Sequence, residues 1–369
     1  MMLPGVLRGV LLETMSGLLR GVLRRSLMVF IAVLLLPGMS VAQAADDANT
    51  ARAGLELLRQ VSDAWRGGNF RGRFVYVRGN RMDSMQVVHA VFDGIEYERL
   101  SHLDNTTSEI IRRGDETICV HPDARMTRLD AARAGGPFRA FAAIDNSIAQ
   151  GYAVARAGQS RVAGRTADYV EIVPRDAHRF GHRIWIDRQS RLPLRYEIVN
   201  RKGAALESVE FVDIDTDIRA PKEMFTVPAG PLAQTLSIVR VVGAAVPAVA
   251  PVWLPPGFRI TGSQTQRVGA APETVSAVTY SDGLAAFSFF VEKAAVGAKP
   301  MGRQVGPTAV VSGVLDAAAA GYFQVTLVGE IPAGTAVKIV ESARHHRAAV
   351  GQAALPVVPV AGNPAEVLR

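Results

Sequence analysis

The chain has 369 residues, of which 49% are hydrophobic and 7% aromatic, with a single cysteine and a formal net charge of +7. This length is enough for about two domains, each able to bury its own core. Four basic residues and one acidic residue precede Ala45, so the totals of 41 and 34 fall to 37 and 33 behind it, a net charge of +4. This weak, dispersed charge argues against a nucleic-acid partner and fits an acidic protein or anionic lipid headgroups.

The N-terminus has the parts of a secretory signal. Arg24 and Arg25 precede an apolar run that starts at Leu27, and Ala42-Gln43-Ala44 follows as a small-x-small cleavage site. The run has about ten residues, half of what a bilayer-spanning helix needs. We predict a signal peptide over residues 1–44 and a soluble, exported mature chain. Translation starting at Met15 instead of Met1 stays open.

The run from 70 to 129 is the centre of the predicted fold. Short segments rich in β-branched and aromatic residues alternate with turn signals such as Asp93-Gly94, which predicts antiparallel hairpins. An amphipathic helix precedes them, with its N-cap at 46–50, and further strands follow to Ile214. We predict an α+β, mostly β, fold in which a large twisted antiparallel sheet curls into a half-barrel, plugged by helices, around an apolar cavity.

A proline-rich segment separates this sheet from a second unit. Six prolines lie between residues 225 and 256, too many for continuous regular structure. We predict a half-barrel domain over 45–225, a linker over 226–252, a smaller α+β domain over 253–347 and a disordered tail over 348–369. The small domain is predicted to close with a helix over 333–345 whose apolar stripe includes Val337 and Val340.

No catalytic motif is present in the sequence, neither a Gly-x-Ser-x-Gly elbow, nor a Gly-rich phosphate loop, nor His-Glu-x-x-His. His178 and His182 have the spacing of helical metal ligands, but the flanking arginines and Gly181 favour a solvated loop. Arginines around the hairpin ends, Arg179 among them, are ordinarily a solvated rim. We therefore predict no enzymatic activity, no metal and no cofactor.

Motifs in both predicted domains carry a further resemblance. Those of the large domain are Gly72-x-Phe74-Val75-Tyr76, Val88-His89-Ala90-Val91, Arg183-Ile184-Trp185-Ile186-Asp187 and Leu192-Pro193-Leu194-Arg195. Those of the small domain are Trp253-Leu254-Pro255-Pro256-Gly257-Phe258, Tyr280-Ser281-Asp282-Gly283 and Gln324-Val325-Thr326. In this order they resemble the MucB/RseB family over nearly the whole mature chain, from about 55 to 342.

The resemblance implies a periplasmic regulator of the envelope-stress sigma factor, sigma E or AlgU. Such a protein binds the periplasmic segment of a membrane-bound anti-sigma factor and protects it from site-1 proteolysis. Lipid, lipopolysaccharide or mislocalised lipoprotein releases it, and its large domain is similar to the carriers LolA and LppX. The alternative is a periplasmic lipid or lipoprotein carrier without a regulatory role. An exported hydrolase is disfavoured by the missing catalytic motif.

Two sets of site residues follow as predictions. The residues expected to line a lipid cavity are Phe74, Tyr76, Val88, Tyr97, Trp185 and Tyr196. Periodicity alone leaves open which face of the sheet is the inner one and which of these residues line the cavity. The residues expected to contact the anti-sigma factor are Arg165, Arg175, Arg183, Arg195, Tyr280 and Phe287. The releasing ligand, the oligomeric state (a homo-oligomer included) and the arrangement of the domains stay open.

Overall fold

A computed structural model of the chain describes residues 36–104, 108–114, 116–123, 125–129, 144, 146–228, 238–239, 248–267 and 274–345. Most of the predicted signal peptide, the predicted tail and most of residues 130–149, which the sequence predicts as a loop with short helices, lie outside these residues. Within them, no helix combines the length and the apolar character needed to cross a membrane.

Eleven antiparallel strands form the larger sheet. In chain order they are β1 (Phe70–Arg78), β2 (Arg81–Phe92), β3 (Ile95–His102), β4 (Glu109–Arg113), β5 (Glu116–Val120), β6 (Met126–Leu129), β7 (Tyr152–Val162), β8 (Arg165–Pro174), β9 (Gly181–Asp187), β10 (Pro193–Val199) and β11 (Ala205–Thr216). Their order in the sheet is β6-β5-β4-β3-β2-β1-β11-β10-β9-β8-β7. The predicted large antiparallel sheet is confirmed, and we call residues 53–228 the large-sheet region.

Helix α1 (Leu36–Gly67) precedes this sheet and covers one of its faces. Leu58, Val61 and Trp65 recur at helical spacing, and each is at most 3% exposed. They share one apolar cluster with Phe74 and Tyr196 of the sheet, whose face we call the inner face. The predicted N-cap at 46–50 is wrong, because the helix already runs through residues 36–50 and includes the predicted cleavage site.

Seven strands form the second sheet, in the order β12-β14-β15-β16-β19-β18-β17. They are β12 (Ile238–Val239), β14 (Arg259–Arg267), β15 (Thr274–Ser281), β16 (Ala286–Lys293), β17 (Met301–Val305), β18 (Thr308–Asp316) and β19 (Tyr322–Gly329). A separate pair joins β13 (Val249–Pro251) to β20 (Ala343–His345). We call residues 248–345 the small-sheet region. The mostly-β fold with a smaller second sheet is confirmed.

Helix α2 (Ala333–Glu341) packs on the second sheet and ends earlier than predicted. Residues 343–345 leave the helix because their backbone pairs with β13, a tertiary contact that helical periodicity does not report. The buried residues of α2 are Thr335, Ala336, Ile339 and Val340, whereas Val337 is 39% exposed. The predicted stripe was therefore right at Val340 and wrong at Val337.

A substitution at Gly72 tests how closely β1 packs against β11. A Cβ at this position would lie 2.5 Å from the Phe211 ring and 2.9 Å from the carbonyl oxygen of Asp213. We expect Gly72→Ala to lower the free energy of unfolding by about 1–3 kcal/mol, because neither the ring nor the backbone has room to move. Chemical denaturation of the mature chain measures this.

Gly67→Ala is the matched control, since a Cβ at Gly67 meets no atom within 4 Å. It should leave stability unchanged or slightly raised. Equal losses in the two variants would contradict the close packing of β1 on β11.

Candidate functional site

A buried arginine joins the two sheet regions. Arg179 lies in the loop between β8 and β9, and none of its side chain is exposed. Its guanidinium donates to Asp282 Oδ2 and to the carbonyl oxygen of Pro256, each at 2.6 Å and each in the small-sheet region. It also donates to both carboxylate oxygens of Asp176 in its own loop, at 3.2 and 2.9 Å. Two carboxylates and a carbonyl therefore satisfy this buried cation.

Small and aromatic residues enclose this guanidinium. A Cβ at position 151 would overlap Nη1 of Arg179, so the site requires Gly151. The rings of Tyr152 and Phe258 each have their centroid 5.3 Å from the guanidinium carbon. Burial raises the pKa of the Tyr152 hydroxyl well above its usual value, and the protonated hydroxyl donates to Asp282 Oδ2 at 3.2 Å. The chain's own residues therefore enclose the ion pair and leave almost none of it exposed.

Asp282 also shapes the loop that carries it. Its Oδ1 accepts the backbone N–H of Leu284 at 3.0 Å and that of Ala285 at 2.8 Å. The loop packs Leu284 into the apolar cluster of the large-sheet region. The carboxylate of Asp282 therefore stabilises its own loop and also pairs with Arg179 of the large-sheet region.

A second polar pair lies next to this junction, on the inner face of the large sheet. Nδ1 of His182 is 2.7 Å from the hydroxyl of Tyr196, and the two rings stack at 5.8 Å. Burial lowers the pKa of His182 to about 4, so its imidazole is neutral at neutral pH. The hydroxyl of Tyr196, a predicted lipid contact, is therefore engaged within the chain.

The predicted lipid-cavity residues lie on both faces of the large sheet. Strand register places three of them on the inner face, namely Phe74, Tyr76 and Tyr196. The other three occupy the opposite, outer face, namely Val88, Tyr97 and Trp185. The sequence leaves open which of the six candidates line a cavity, and the register shows that they cannot all face the same side of the sheet, because side chains of consecutive strand positions point to opposite faces.

The outer-face residues have partners of their own. Val88 and Tyr97 form a cluster with Phe225, which belongs to the short 3₁₀ helix Lys222–Phe225. Trp185 stacks on Tyr169 with ring centroids 4.8 Å apart, and the guanidinium of Arg195 lies 4.6 Å from its centroid. An aromatic surface with a cation above it therefore lies on the outer face.

The four predicted partner-binding arginines fall into three places. Arg183 and Arg195 lie on neighbouring strands and both contact Glu197, the former at 3.5 Å. Arg165 pairs with Asp187 at 3.0 Å at the start of β8. Arg175 follows the other end of β8 and donates to the carbonyl oxygen of Tyr152 at 3.1 Å. Of these four, only Arg183 and Arg195 share a carboxylate.

A groove of about 430 Å³ lies beside the β8–β9 loop and has both Arg175 and Arg183 in its lining. Glu171 and Asp176 line it as well, so the groove carries both signs of charge. The turn between β10 and β11 also lines the groove, and the carbonyl oxygen of Gly203 in this turn accepts a hydrogen bond from Arg183 at 3.3 Å. The groove can hold a polar chain segment better than a purely apolar one.

Tyr280 and Phe287 lie in the core of the second sheet. They are 4% and 1% exposed, and their rings stack at 5.0 Å. Phe258 packs on Phe287 at 5.4 Å. The expectation that these two residues contact a partner is corrected, because their alternation in β15 and β16 puts them on the face that α2 and the β13–β20 side of the region bury.

One side-chain cluster within the described residues has the composition of a metal site. Ligand atoms of Asp83, His102 and Asp104 lie within 4.8 Å of one another. Arg81 approaches Asp83 to 3.7 Å and adds positive charge there. Sequence reasoning did not single out this trio, because Asp83 lies 19 and 21 residues before His102 and Asp104 and only the β2–β3 pairing brings it to them.

Arg179 and Asp282 are the residues that sequence reasoning missed at the junction. The sequence places Arg179 among arginines at hairpin ends, which are ordinarily solvated, and Asp282 within a motif of the small domain. A signal was present, since Asp282 and Pro256 both lie in the motifs that carry the family resemblance. Sequence spacing does not show that these segments meet.

Both sheet regions match domains of a known protein family. The sequence profile of the MucB/RseB N-terminal domain matches residues 53–229, and that of the MucB/RseB C-terminal domain matches residues 248–344. The chain belongs to the MucB/RseB family. The predicted resemblance is therefore confirmed over both sheet regions.

Two relatives are similar to this chain over most of their length. The chain is 35% identical over 322 residues to the sigma factor AlgU regulatory protein MucB of Pseudomonas aeruginosa, covering 86% of this chain and 98% of that protein. It is 26% identical over 298 residues to the sigma-E factor regulatory protein RseB of Escherichia coli K12, covering 80% and 92%. These named MucB/RseB relatives are regulatory proteins.

Solved MucB structures have the same fold. The complex of Pseudomonas aeruginosa MucA and MucB matches with a TM-score of 0.67 and 33% identity, covering 80% of this chain and 100% of that chain. A crystal structure of MucB in complex with MucA(peri) matches with a TM-score of 0.65 and 32% identity over the same shares. The structural match therefore extends over the whole MucB chain in each complex.

Asp282→Asn tests the buried junction of this MucB/RseB chain. It should lower the free energy of unfolding by about 3–5 kcal/mol, because it leaves the guanidinium of Arg179 with less compensating charge in a dry site. Denaturant unfolding measures the loss. Asp213→Asn is the control, since it breaks an ion pair with Arg73 that is exposed on both sides. A loss at Asp282 no larger than that at Asp213 would contradict the role of the junction.

Proposed function

We propose that this chain binds the periplasmic segment of a membrane-bound anti-sigma factor and shields it from site-1 proteolysis, and so regulates an envelope-stress sigma factor. The observation that carries this proposal is the match to MucB in its complexes with MucA, which covers 100% of the MucB chain. The regulatory names of the relatives support it further. Export through the predicted 1–44 signal and the two-domain division belong to the same proposal.

The partner is proposed to meet the large-sheet region at Arg183, Arg195 and the groove beside them. Two properties support this surface. Both arginines are about one-third exposed, at 31% and 36% of the side chain. Trp185 and Tyr169 provide a stacked aromatic patch next to them. Glu197, which both arginines share, is buried, but Glu171 and Glu210 also pair with them and are exposed, so acidic residues of a partner would replace these two glutamates at the guanidinium groups.

A double variant, Arg183→Gln with Arg195→Gln, tests this surface. We expect the affinity for the anti-sigma periplasmic segment to fall roughly tenfold, because two charge-assisted contacts are lost. Isothermal titration with the mature chain measures it, and the salt dependence of binding should decrease at the same time.

Arg71→Gln with Arg73→Gln is the matched control for this double variant. These arginines lie on β1 of the same sheet and pair with exposed aspartates. Equal affinity in wild type and the Arg183/Arg195 variant would reject this surface, as would an equal loss in both double variants.

We propose further that an acyl chain releases the partner by binding at the inner face of the large sheet. This face carries the predicted residues Phe74, Tyr76 and Tyr196 within a large apolar cluster, with His182 as a polar neighbour of Tyr196. Its well-buried centre lies under Leu58, Val61 and Trp65 of α1, so an acyl chain must enter where burial is incomplete. Ile110 of β4 is such a position, because it packs against the inner-face cluster and is only partly buried. Release requires only that the lipid bind the partner-free arrangement of the chain more tightly than the partner-bound one.

Ile110→Gln tests the acyl site. The concentration of acylated lipid that half-releases the anti-sigma segment should rise about tenfold, because an amide replaces apolar contact with the chain. Release is followed by fluorescence of a labelled segment. Ile110→Leu keeps the apolar character and should release like wild type. If Ile110→Gln released the segment at the same lipid concentration as wild type, an acyl-binding site on this face would be rejected.

A further inference from the structure

Two aspartates lie opposite each other where the pairing of β2 and β3 ends. His102 is the last paired residue of β3, and the following backbone N–H, that of Leu103, donates to the carbonyl oxygen of Ser84 on β2 at 2.8 Å. The antiparallel register therefore continues beyond β3 and sets Asp104 opposite Asp83. Like charges at directly opposed positions destabilise a strand pair. A cation between the two carboxylates would remove this repulsion.

His102 lies on the same face of the sheet as the two aspartates. It is opposite Met85, which belongs to the inner-face cluster, and Asp83 precedes Met85 by two residues on β2. Positions two apart in a strand share a face, so Asp83, His102 and Asp104 lie together at the margin of the inner face. Their ligand atoms are within 4.8 Å of one another, in agreement with this placement.

One ring nitrogen of His102 has no hydrogen bond. Its Nδ1 is buried and has no hydrogen-bond partner among the described residues. Oδ1 of Asp104 lies 3.8 Å from it, which is too far for a hydrogen bond. A buried polar atom in this state destabilises the fold unless another group binds it. A neutral imidazole binds metal ions through either ring nitrogen, so Nδ1 is available as a ligand.

Arg81 approaches the three residues from the start of β2. Its guanidinium is 3.7 Å from Asp83, and 81% of the arginine side chain is exposed, against 19% of the aspartate. An ion pair with such an exposed partner contributes little. Arg81 therefore offsets the charge of Asp83 only weakly, and its side chain can move into solvent when a metal ion binds.

The donor set suits Zn²⁺. One imidazole nitrogen and two carboxylate oxygens make three protein ligands, and water takes the fourth position in zinc sites of this kind. Bonds of about 2.0–2.2 Å place tetrahedral ligand atoms about 3.3–3.5 Å apart, so the 3.8 Å between Nδ1 of His102 and Oδ1 of Asp104 needs little adjustment. Mg²⁺ and Ca²⁺ prefer oxygen ligands alone, and Cu⁺ prefers sulfur.

We propose that Asp83, His102 and Asp104 bind one Zn²⁺ ion, with His102 binding through Nδ1. The ion offsets the repulsion between the opposed aspartates and provides the partner that Nδ1 lacks. Because its ligands come from β2 and from the end of β3, the ion also joins these two segments at the margin of the inner face. Binding of zinc at this site requires neither the anti-sigma segment nor lipid.

Titration of ZnCl₂ into the chelator-treated mature chain, followed by calorimetry in a buffer that does not bind metals, tests this site. We expect one ion per chain, which excess Mg²⁺ does not displace. His102→Gln and Asp83→Asn should each weaken zinc binding by at least about tenfold, because each removes a ligand. His121→Gln is the matched control and should bind zinc like wild type, since His121 lies outside the cluster and its Nε2 is 3.0 Å from the Thr127 hydroxyl.

Nuclear magnetic resonance of the wild-type chain with ¹⁵N-labelled histidine gives a second measurement. Addition of ZnCl₂ should shift the Nδ1 resonance of His102 and leave the ring resonances of His121 unchanged. This measurement needs no variant, so it decides the matter even if a substituted chain does not fold. An Nδ1 resonance of His102 that zinc leaves unchanged would overturn the proposal. So would the absence of zinc binding, or equal affinity in wild type and in both ligand variants.

Discussion

The relation between the two sheets depends on one buried cation. A guanidinium with no exposed surface is stable only where carboxylates and carbonyl oxygens meet its donors in the right geometry. Arg179 finds these groups partly in its own loop and partly in the small-sheet region, at Asp282 and Pro256. The need to pair this charge therefore restricts how the second sheet can dock on the first. A buried ion pair of this kind contributes more to specificity than to net stability.

Around this cation the contact becomes apolar. Leu284 joins the core cluster of the large-sheet region, and Ile148 lies 3.0 Å from the position of a Cβ on Gly283. A lipid carrier would need only the large sheet. The close docking of a second sheet instead fits a protein whose two regions act together on a partner, as we propose for this member of the MucB/RseB family.

Local sequence pattern was sufficient for most strands. In the second sheet, β-branched and aromatic residues predict strands over 275–280, 286–291, 309–314 and 322–329, and β15, β16, β18 and β19 lie there. β14 and β17 were missed because they are polar or fully exposed, as in Met301–Val305, and exist through hydrogen bonds to their neighbours. The same limit explains Tyr280 and Phe287. Alternation shows that neighbouring residues point to opposite faces, but not which face other elements bury.

The sequence by itself determined the family, the mostly-β fold and the two sheet regions, because these depend on residue type and on spacing within short segments. It also provided the candidate residues, although not their grouping. Only the tertiary structure decided that Phe74 and Trp185 lie on opposite faces, that Arg183 and Arg195 share one carboxylate, and that Arg179 is buried. The physical reason is that burial and charge pairing arise between segments distant in the chain, and a linear pattern carries no information about which of them meet.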